Sequence, residues 1–240
     1  MLERIAPNLY AAETSLRLGP GIVFPTRMTA VDISGDLLLY SPLKIDEELE
    51  ADLRSLGEVR WIIAPNDHHH LFVGSAAEAF PEAEVWGTDG AAANEPDVDF
   101  DGSLSELAAS PPAAWSETLA LLELQGTRFW HEFVFHVIPG DTLVCADFVF
   151  NIQSPPNLVT SFVLWLVGGR AKLAQTRTER WIMVRDRAAF AESVSRILAW
   201  ECDRIVMAHG DIVETDGYRR LREVTRWTFK GNEHLLETDA

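Results

Sequence analysis

The sequence predicts a mixed α+β protein, two mixed sheets covered by helices, folded as one domain over residues 1–240. Three observations carry that expectation. Strand-forming runs open the chain, strand–helix units follow, and strands and then helices return after about residue 118. The chain has 240 residues, 47% hydrophobic and 24% charged, which is ample for a buried core and argues against wholesale disorder. No internal repeat, heptad run or low-complexity tract interrupts this order.

The elements follow from local pattern. Met28–Ile33 and Leu37–Tyr40 are β-rich runs joined by Ser34-Gly35-Asp36, a tight-turn signature. Leu49, Leu53 and Leu56 give Glu47–Leu56 helical spacing, and Gly57 stops it. Trp61-Ile62-Ile63-Ala64 reads as a short strand buried on both faces. A helix over Ala76–Phe80 and a strand over Glu84–Trp86 come next. Thr88–Trp115, rich in Ala, Pro, Ser and Asp, is expected to be a long acidic loop. Strands resume at Thr118–Leu124, Phe129–Val137 and Thr142–Ala146, the last two joined by a Pro139-Gly140-Asp141 turn. Residues 154–184 read as a mostly helical insertion. Asp186–Trp200 is an amphipathic helix with Phe190, Val194, Ile197 and Leu198 on one face. A strand over Arg204–Ala208 ends in His209-Gly210-Asp211, and a helix from Asp216 to about Phe229 closes the domain.

Charge narrows the function classes. Lys plus Arg number 20 against 37 Asp plus Glu, a formal net charge of −17. From Trp61 through Thr127 there is no Lys or Arg, while the same stretch holds twelve acids. A surface this negative repels phosphate backbones and anionic lipid, which leaves a small-molecule substrate as the expected partner, with no nucleic acid and no membrane. The longest apolar run, Phe162–Val167, falls far short of the roughly 20 residues that span a bilayer. The amino terminus shows no signal-peptide pattern, and Cys145 and Cys202 lie singly in apolar runs, so buried thiols in a cytoplasmic protein are expected.

Histidine placement points to chemistry. His68, His69 and His70 follow the buried strand Trp61–Ala64, and His209 ends another. Loops at the carboxyl ends of strands are where α/β folds assemble sites. One histidine there is more often a hydrogen-bonded structural residue, but several imidazoles and carboxylates at several strand ends favour a metal. Glu132 and His136 lie four apart on an expected strand and share a face, where burial without partners is costly. Glu132 is then a ligand or general base with His136 supporting it, or the two are a structural pair bonded to neighbouring loops. Asp97-Val98-Asp99-Phe100-Asp101-Gly102 opens like a calcium loop, but its twelfth position is Ala108, so a solvated or backbone-bonded loop is expected. The apolar segment Leu158–Val167 is core, a homodimer face, or the roof of a pocket.

Ala64-Pro65-Asn66-Asp67-His68-His69-His70 resembles the His-x-His-x-Asp-His segment of the metallo-β-lactamase superfamily. Asp147, closing the apolar strand Leu143–Ala146, resembles its metal-bridging Asp, and His209-Gly210 its terminal His. Order and strand context agree over roughly residues 28–215. The Pro-Asn-x-x-His-His segment, the Glu-x-x-x-His strand and the late Ala-His-Gly are similar to those of one branch of that superfamily whose function is not assigned. The resemblance implies an αββα sandwich with its site at the rim between the sheets. Two departures stand out. Pro65 occupies the motif's first His and Asp67 its second, with His69 at its Asp, so one of two metal sites loses ligands. The third motif has no clean match, His131 being the nearest residue.

What the resemblance then implies is one divalent metal, zinc before iron or manganese, held by His69, His70, Asp147 and His209. Glu132 and Asp67 would be the catalytic groups, with Asn66 and His136 supporting the ligands. The implied activity is a metal-dependent hydrolase using metal-bound hydroxide on a small ester, lactone or thioester. The alternative is a non-catalytic relative acting as a binding or interaction module, supported by the motif histidines replaced by Pro65 and Asp67. A redox role with iron is a third reading.

Overall fold

The computed structural model describes residues 1–236. The first of its two sheets has seven strands in spatial order: β1 (Glu3–Ala6), β2 (Leu9–Gly19), β3 (Ile22–Ile33), β4 (Asp36–Tyr40), β5 (Glu58–Ala64), β6 (Glu84–Gly87) and β7 (Gly102–Ser103). β1 to β4 pair antiparallel, while β4 to β7 pair parallel. The parallel crossovers carry α1 (Glu47–Leu56), α2 (Val73–Ala79) and α3 (Asp89–Asn94), followed by α4 (Leu104–Ala109). The second sheet runs β11-β10-β9-β8, with β8 (Leu119–Glu123), β9 (Phe133–Val137), β10 (Thr142–Cys145) and β11 (Arg204–Met207). β10 and β11 are parallel. Between them the chain crosses through α5 (Leu158–Val167) and α6 (Arg187–Leu198), and α7 (Gly217–Thr225) follows β11.

Period-two alternation sorts the strands into layers. Leu38, Tyr40 and Ile63 turn inward to meet Phe133, Phe135, Val144 and Val206 of the second sheet. Their neighbours Leu37, Leu39 and Ile62 turn outward onto Leu49 and Leu53 of α1 and Val73 and Ala76 of α2. On the far side Val134, Leu143, Ile205 and Met207 pack on Phe190, Val194 and Ile197 of α6. The result is helix–sheet–sheet–helix, the αββα arrangement expected. Each large apolar side chain buried this way contributes roughly 1.5–3 kcal/mol, so the inter-sheet layer is the main reason the two sheets stay together.

Local signals account for most element ends. Asp46 caps α1 by accepting from Leu49 N, and Gly57 ends it. Gly57 is extended rather than left-handed; a Cβ there would stand 2.0 Å from the Gly35 carbonyl oxygen, so close approach requires the glycine. Ser34 and Gly35 both have positive φ, which fits the tight turn joining β3 to β4.

Four segments differ from expectation. Thr88–Trp115 is not a long loop: it folds into α3, β7, α4 and a 3-10 turn at Ala113–Trp115. Short capped helices do this; Thr88 caps α3, and Ser103 with Glu106 forms a reciprocal capping box on α4. Within it Asp101 bonds the Val85 N–H through its side chain at 2.8 Å, extending the sheet edge. The amino-terminal strands β1 and β2 escape the sequence pattern because the second half of β2 is largely exposed and carries no clean alternation. Residues 154–184 are helical only over α5 and a π-helical turn at Glu179–Met183. Phe129–Glu132 is not strand, because Phe129 takes a left-handed φ of 59° that breaks the extended run.

Candidate metal centre

The carboxyl ends of β5, β10 and β11 meet where the two sheets join. The Phe133 N–H donates to the Pro65 carbonyl at 2.9 Å, and Asn66 forms a bridge with Glu132, so residues after β5 are stitched to the start of β9. That seam brings His69, Asp147 and His209 together from three parts of the chain. Their ligand atoms all lie within 4.8 Å of one another. His69 Nε2 stands 3.4 Å from one Asp147 carboxylate oxygen and His209 Nε2 stands 3.2 Å from the other.

Each ligand is held from behind. His209 Nδ1 is 2.7 Å from the Pro25 carbonyl, which can only accept, so Nδ1 carries a proton and Nε2 is turned to Asp147. His69 Nδ1 is bonded to Ser41 Oγ at 2.6 Å. Asn66 is completely buried; its amide donates to Asp147 at 2.9 Å, and its oxygen accepts from the backbone N–H of His68 and of His69. Phe150 stacks on the His209 ring at 5.3 Å. Arg27, a buried cation in β3, donates to the carbonyls of Met207 and Gly210 and pairs with Glu13, clamping the loop that carries His209 across the sheets.

Electrostatics follow from this packing. Burial pushes the His69 imidazole down, outweighing the attraction of Asp147, so it is neutral at physiological pH. Burial opposes ionisation of Asp147 too, but the His69 and His209 imidazoles hold its carboxyl well below the usual range. For His209 burial alone would lower the value, yet the bond to Asp147 raises it. Two imidazole nitrogens and one ionised carboxylate converging on a point form a donor set that fits Zn²⁺, Fe²⁺ or Mn²⁺.

The other expected residues lie elsewhere. His70 is not in the cluster; its Nδ1 pairs with Glu95 of the supposed acidic loop at 2.7 Å. Asp67 is turned away toward α3, accepting from Thr88 Oγ1 at 2.6 Å and pairing with His131 at 2.7 Å, so it does not face the three ligands. Glu132 is fully buried and is not among the residues lining the cavity beside the three side chains. Its carboxylate accepts from the backbone N–H groups of Ala146, Asp147 and Phe148 and from Trp130 Nε1, which fixes the turn that presents Asp147. Burial and the nearby Asp147 charge push it up to about 7 against those bonds. His136 faces the helical layer, stacked on Trp200 at 5.2 Å with Asp141 at 3.9 Å, and supports none of the ligands.

A cavity of about 400 Å³ opens over the three ligands, within the usual range for small-molecule sites. Leu16, Phe24, Phe72, Trp130 and Phe150 make its wall apolar, and one further acid, Glu179, reaches it from the π-helical turn. Burial pushes the Glu179 carboxyl up to about 7. Ser41, Arg27 and Glu179 had no motif to mark them. The available signals were a serine just past the β4 end, a lone cation in a buried strand, and an acid in an otherwise basic segment.

Two variants probe this geometry. Ser41→Ala frees the His69 ring and is expected to weaken divalent-metal binding by about 10–100-fold without unfolding the protein, read by zinc titration calorimetry. His136 is held below its ordinary 6.5 by burial, with Asp141 opposing. Its unfolded form therefore takes up a proton first, so stability falls as pH drops through about 6.5 and is unaffected above it. The melting temperature of His136→Phe, which keeps the stack on Trp200, is expected to fall less between about pH 7.5 and about pH 5.5 than that of the native chain.

The two sheets and their helix layers make a metallo-β-lactamase-like fold, with His69, Asp147 and His209 as a candidate metal site. Within that fold the chain belongs to the family described as Domain of unknown function (DUF4336), whose model matches residues 16–180. The fold is that of a metallo-beta-lactamase from Pontibacter korlensis, at 13% identity and TM-score 0.61, covering 96% of this chain and 99% of that one. It is equally that of one from Hirschia baltica, at 12% identity and TM-score 0.62 over 94% and 97% of the two chains. A third, from Pseudomonas aeruginosa in a mono-zinc form, has 11% identity and TM-score 0.61 over 95% of each. No curated protein matches the sequence.

Proposed function

We propose that this protein is a single-metal hydrolase of small esters, lactones or thioesters with an apolar acyl part. The observation that carries the reading is the His69–Asp147–His209 set at the floor of an apolar cavity. His69 Nε2, His209 Nε2 and the Asp147 carboxylate would hold the ion, zinc before iron or manganese; the mono-zinc form of the Pseudomonas aeruginosa neighbour is in keeping with one ion. A divalent ion there supplies Lewis acidity and brings the pKa of a coordinated water toward about 7. The chain's own residues do the rest. Pro25 holds the His209 imidazole in one tautomer, Ser41 orients the His69 ring, and Asn66 fixes the carboxylate. Leu16, Phe24, Phe72 and Phe150 seat an acyl chain and exclude water. Glu179, the cavity's remaining acid, would hand a proton to a leaving oxygen or sulfur. The free, buried thiols Cys145 and Cys202 support a reducing cytoplasm as its compartment.

A specific observation favours the second reading, a non-catalytic binding module. Pro65 offers only its carbonyl to Phe133, and Asp67 is engaged by Thr88 and His131, so the positions of a second metal are committed to structure. Zinc-loaded protein assayed on p-nitrophenyl esters of graded acyl length, on aryl lactones and on acyl thioesters separates the two. Hydrolysis that needs the metal and falls at least about a hundredfold in Glu179→Gln supports the enzyme. Tight metal binding with no turnover of any class supports the module.

A further inference from the structure

Helix α5 is inverted. A helix on a water-soluble surface buries its apolar stripe and shows its polar one. Here the side chains most deeply buried are Thr160 and Leu164, and the Thr160 hydroxyl is bonded to both the N–H and the carbonyl of Val23 in β3. The outward face carries Leu158 at 88% exposure, Phe162 at 61%, Trp165 at 60% and the half-exposed Leu166. The π-helical turn adds Trp181 at 81% and Ile182 at 63%. Scattered exposed apolar residues need no explanation, but three large aromatics and four aliphatics (Leu158, Val159, Leu166 and Ile182) within residues 158–182 do.

The charge of this segment is opposite to that of the rest. From Phe148 through Thr178 there is no acid at all. Between Leu158 and Arg187 stand six bases, Arg170, Lys172, Arg177, Arg180, Arg185 and Arg187, against two acids, of which Glu179 is buried in the cavity. Among the described residues Arg170, Lys172 and Arg177 enter no ion pair; the Arg177 guanidinium instead donates to the Leu166 carbonyl at 3.0 Å, beside the apolar face. The net charge of −17 argues against an anionic surface at long range, but screening over about 8 Å lets a local basic face act on its own.

We infer that the α5 face and the Glu179–Met183 turn dock on an anionic lipid bilayer. Exposed Trp and Phe beside Arg and Lys are the side chains that partition to the headgroup boundary, the aromatics entering and the bases meeting lipid phosphate and carboxylate. A second copy fits less well, because a two-fold contact on this face would bring each basic patch against its twin. The docked face adjoins the cavity, since Glu179 and Met183 of the turn also line it. The inference is independent of the metal.

The test is flotation of the full chain with vesicles of phosphatidylcholine alone and of phosphatidylcholine with about one third phosphatidylserine, at about 0.1 M salt. Binding is expected to the anionic vesicles, to weaken as salt rises, and to fall at least about tenfold in Trp165→Ser and in Arg170→Glu/Lys172→Glu at unchanged melting temperature. No binding to either vesicle overturns the proposal, as does binding that neither variant weakens. A dimer in sedimentation velocity that Trp165→Ser dissociates, with no vesicle binding, overturns it in favour of a second copy.

Discussion

The His209→Ala protein is expected to lose its metal and keep its fold. Among the described residues His209 is one of three side chains grouped to hold an ion, and its loss would leave His69 and Asp147, a pair too few to exclude water from most of the coordination sphere. The weakening should exceed the roughly hundredfold that marks the upper end for losing a supporting partner alone, so it should exceed that of Ser41→Ala. The fold does not depend on this ring to the same degree. His209 sits past the end of β11, and Met207 and Gly210 remain clamped by Arg27 through their carbonyls. Zinc titration calorimetry and thermal melting on one preparation read both quantities. A cooperative melt with metal affinity unchanged would remove His209 from the site.

Glu132→Ala is expected to be the most destabilising single substitution near the site, by about 3–5 kcal/mol, a large part of the 5–15 kcal/mol of a typical domain. The side chain is inaccessible and accepts from Ala146 N at 2.8 Å, Asp147 N at 2.9 Å, Phe148 N at 3.3 Å and Trp130 Nε1 at 2.7 Å, with the Asn66 amide at 3.3 Å. Removing it strands several buried donors at once, each costing about 1–3 kcal/mol. Glu132→Gln rescues only one side, because its amide oxygen still accepts while its NH₂ would face the other set of N–H donors. Urea unfolding measures the effect. A loss under about 1 kcal/mol for the alanine variant would mean that water replaces the carboxylate and that the turn presenting Asp147 is held by other contacts.

Glu132 also illustrates why parts of the site could not be read from the chain. An acid in an apolar run flags either a ligand or a buried anchor, and only its donors, which come from the β10–Asp147 turn, decide between them. His70 and Asp67 fail the same way: their partners, Glu95 and His131, are 25 and 64 residues distant along the chain. By contrast the meeting of His69, Asp147 and His209 is legible in the chain, because each follows a short, strongly apolar strand, and the end of such a strand is a fixed place in the fold. The same holds for α1, where leucine spacing and a glycine stop mark both ends. The segment after Thr88 does not show in the sequence pattern because six-residue helices owe little to periodicity and much to caps such as Ser103 with Glu106. β2 was missed because its outer half has no second layer to impose alternation.

The most direct test of the account is the metal content of untagged protein, incubated with zinc, iron or manganese and dialysed. The account predicts about one ion per chain in the native protein and close to none in His209→Ala. A native chain that retains none of the three metals, with its fold intact, would contradict it.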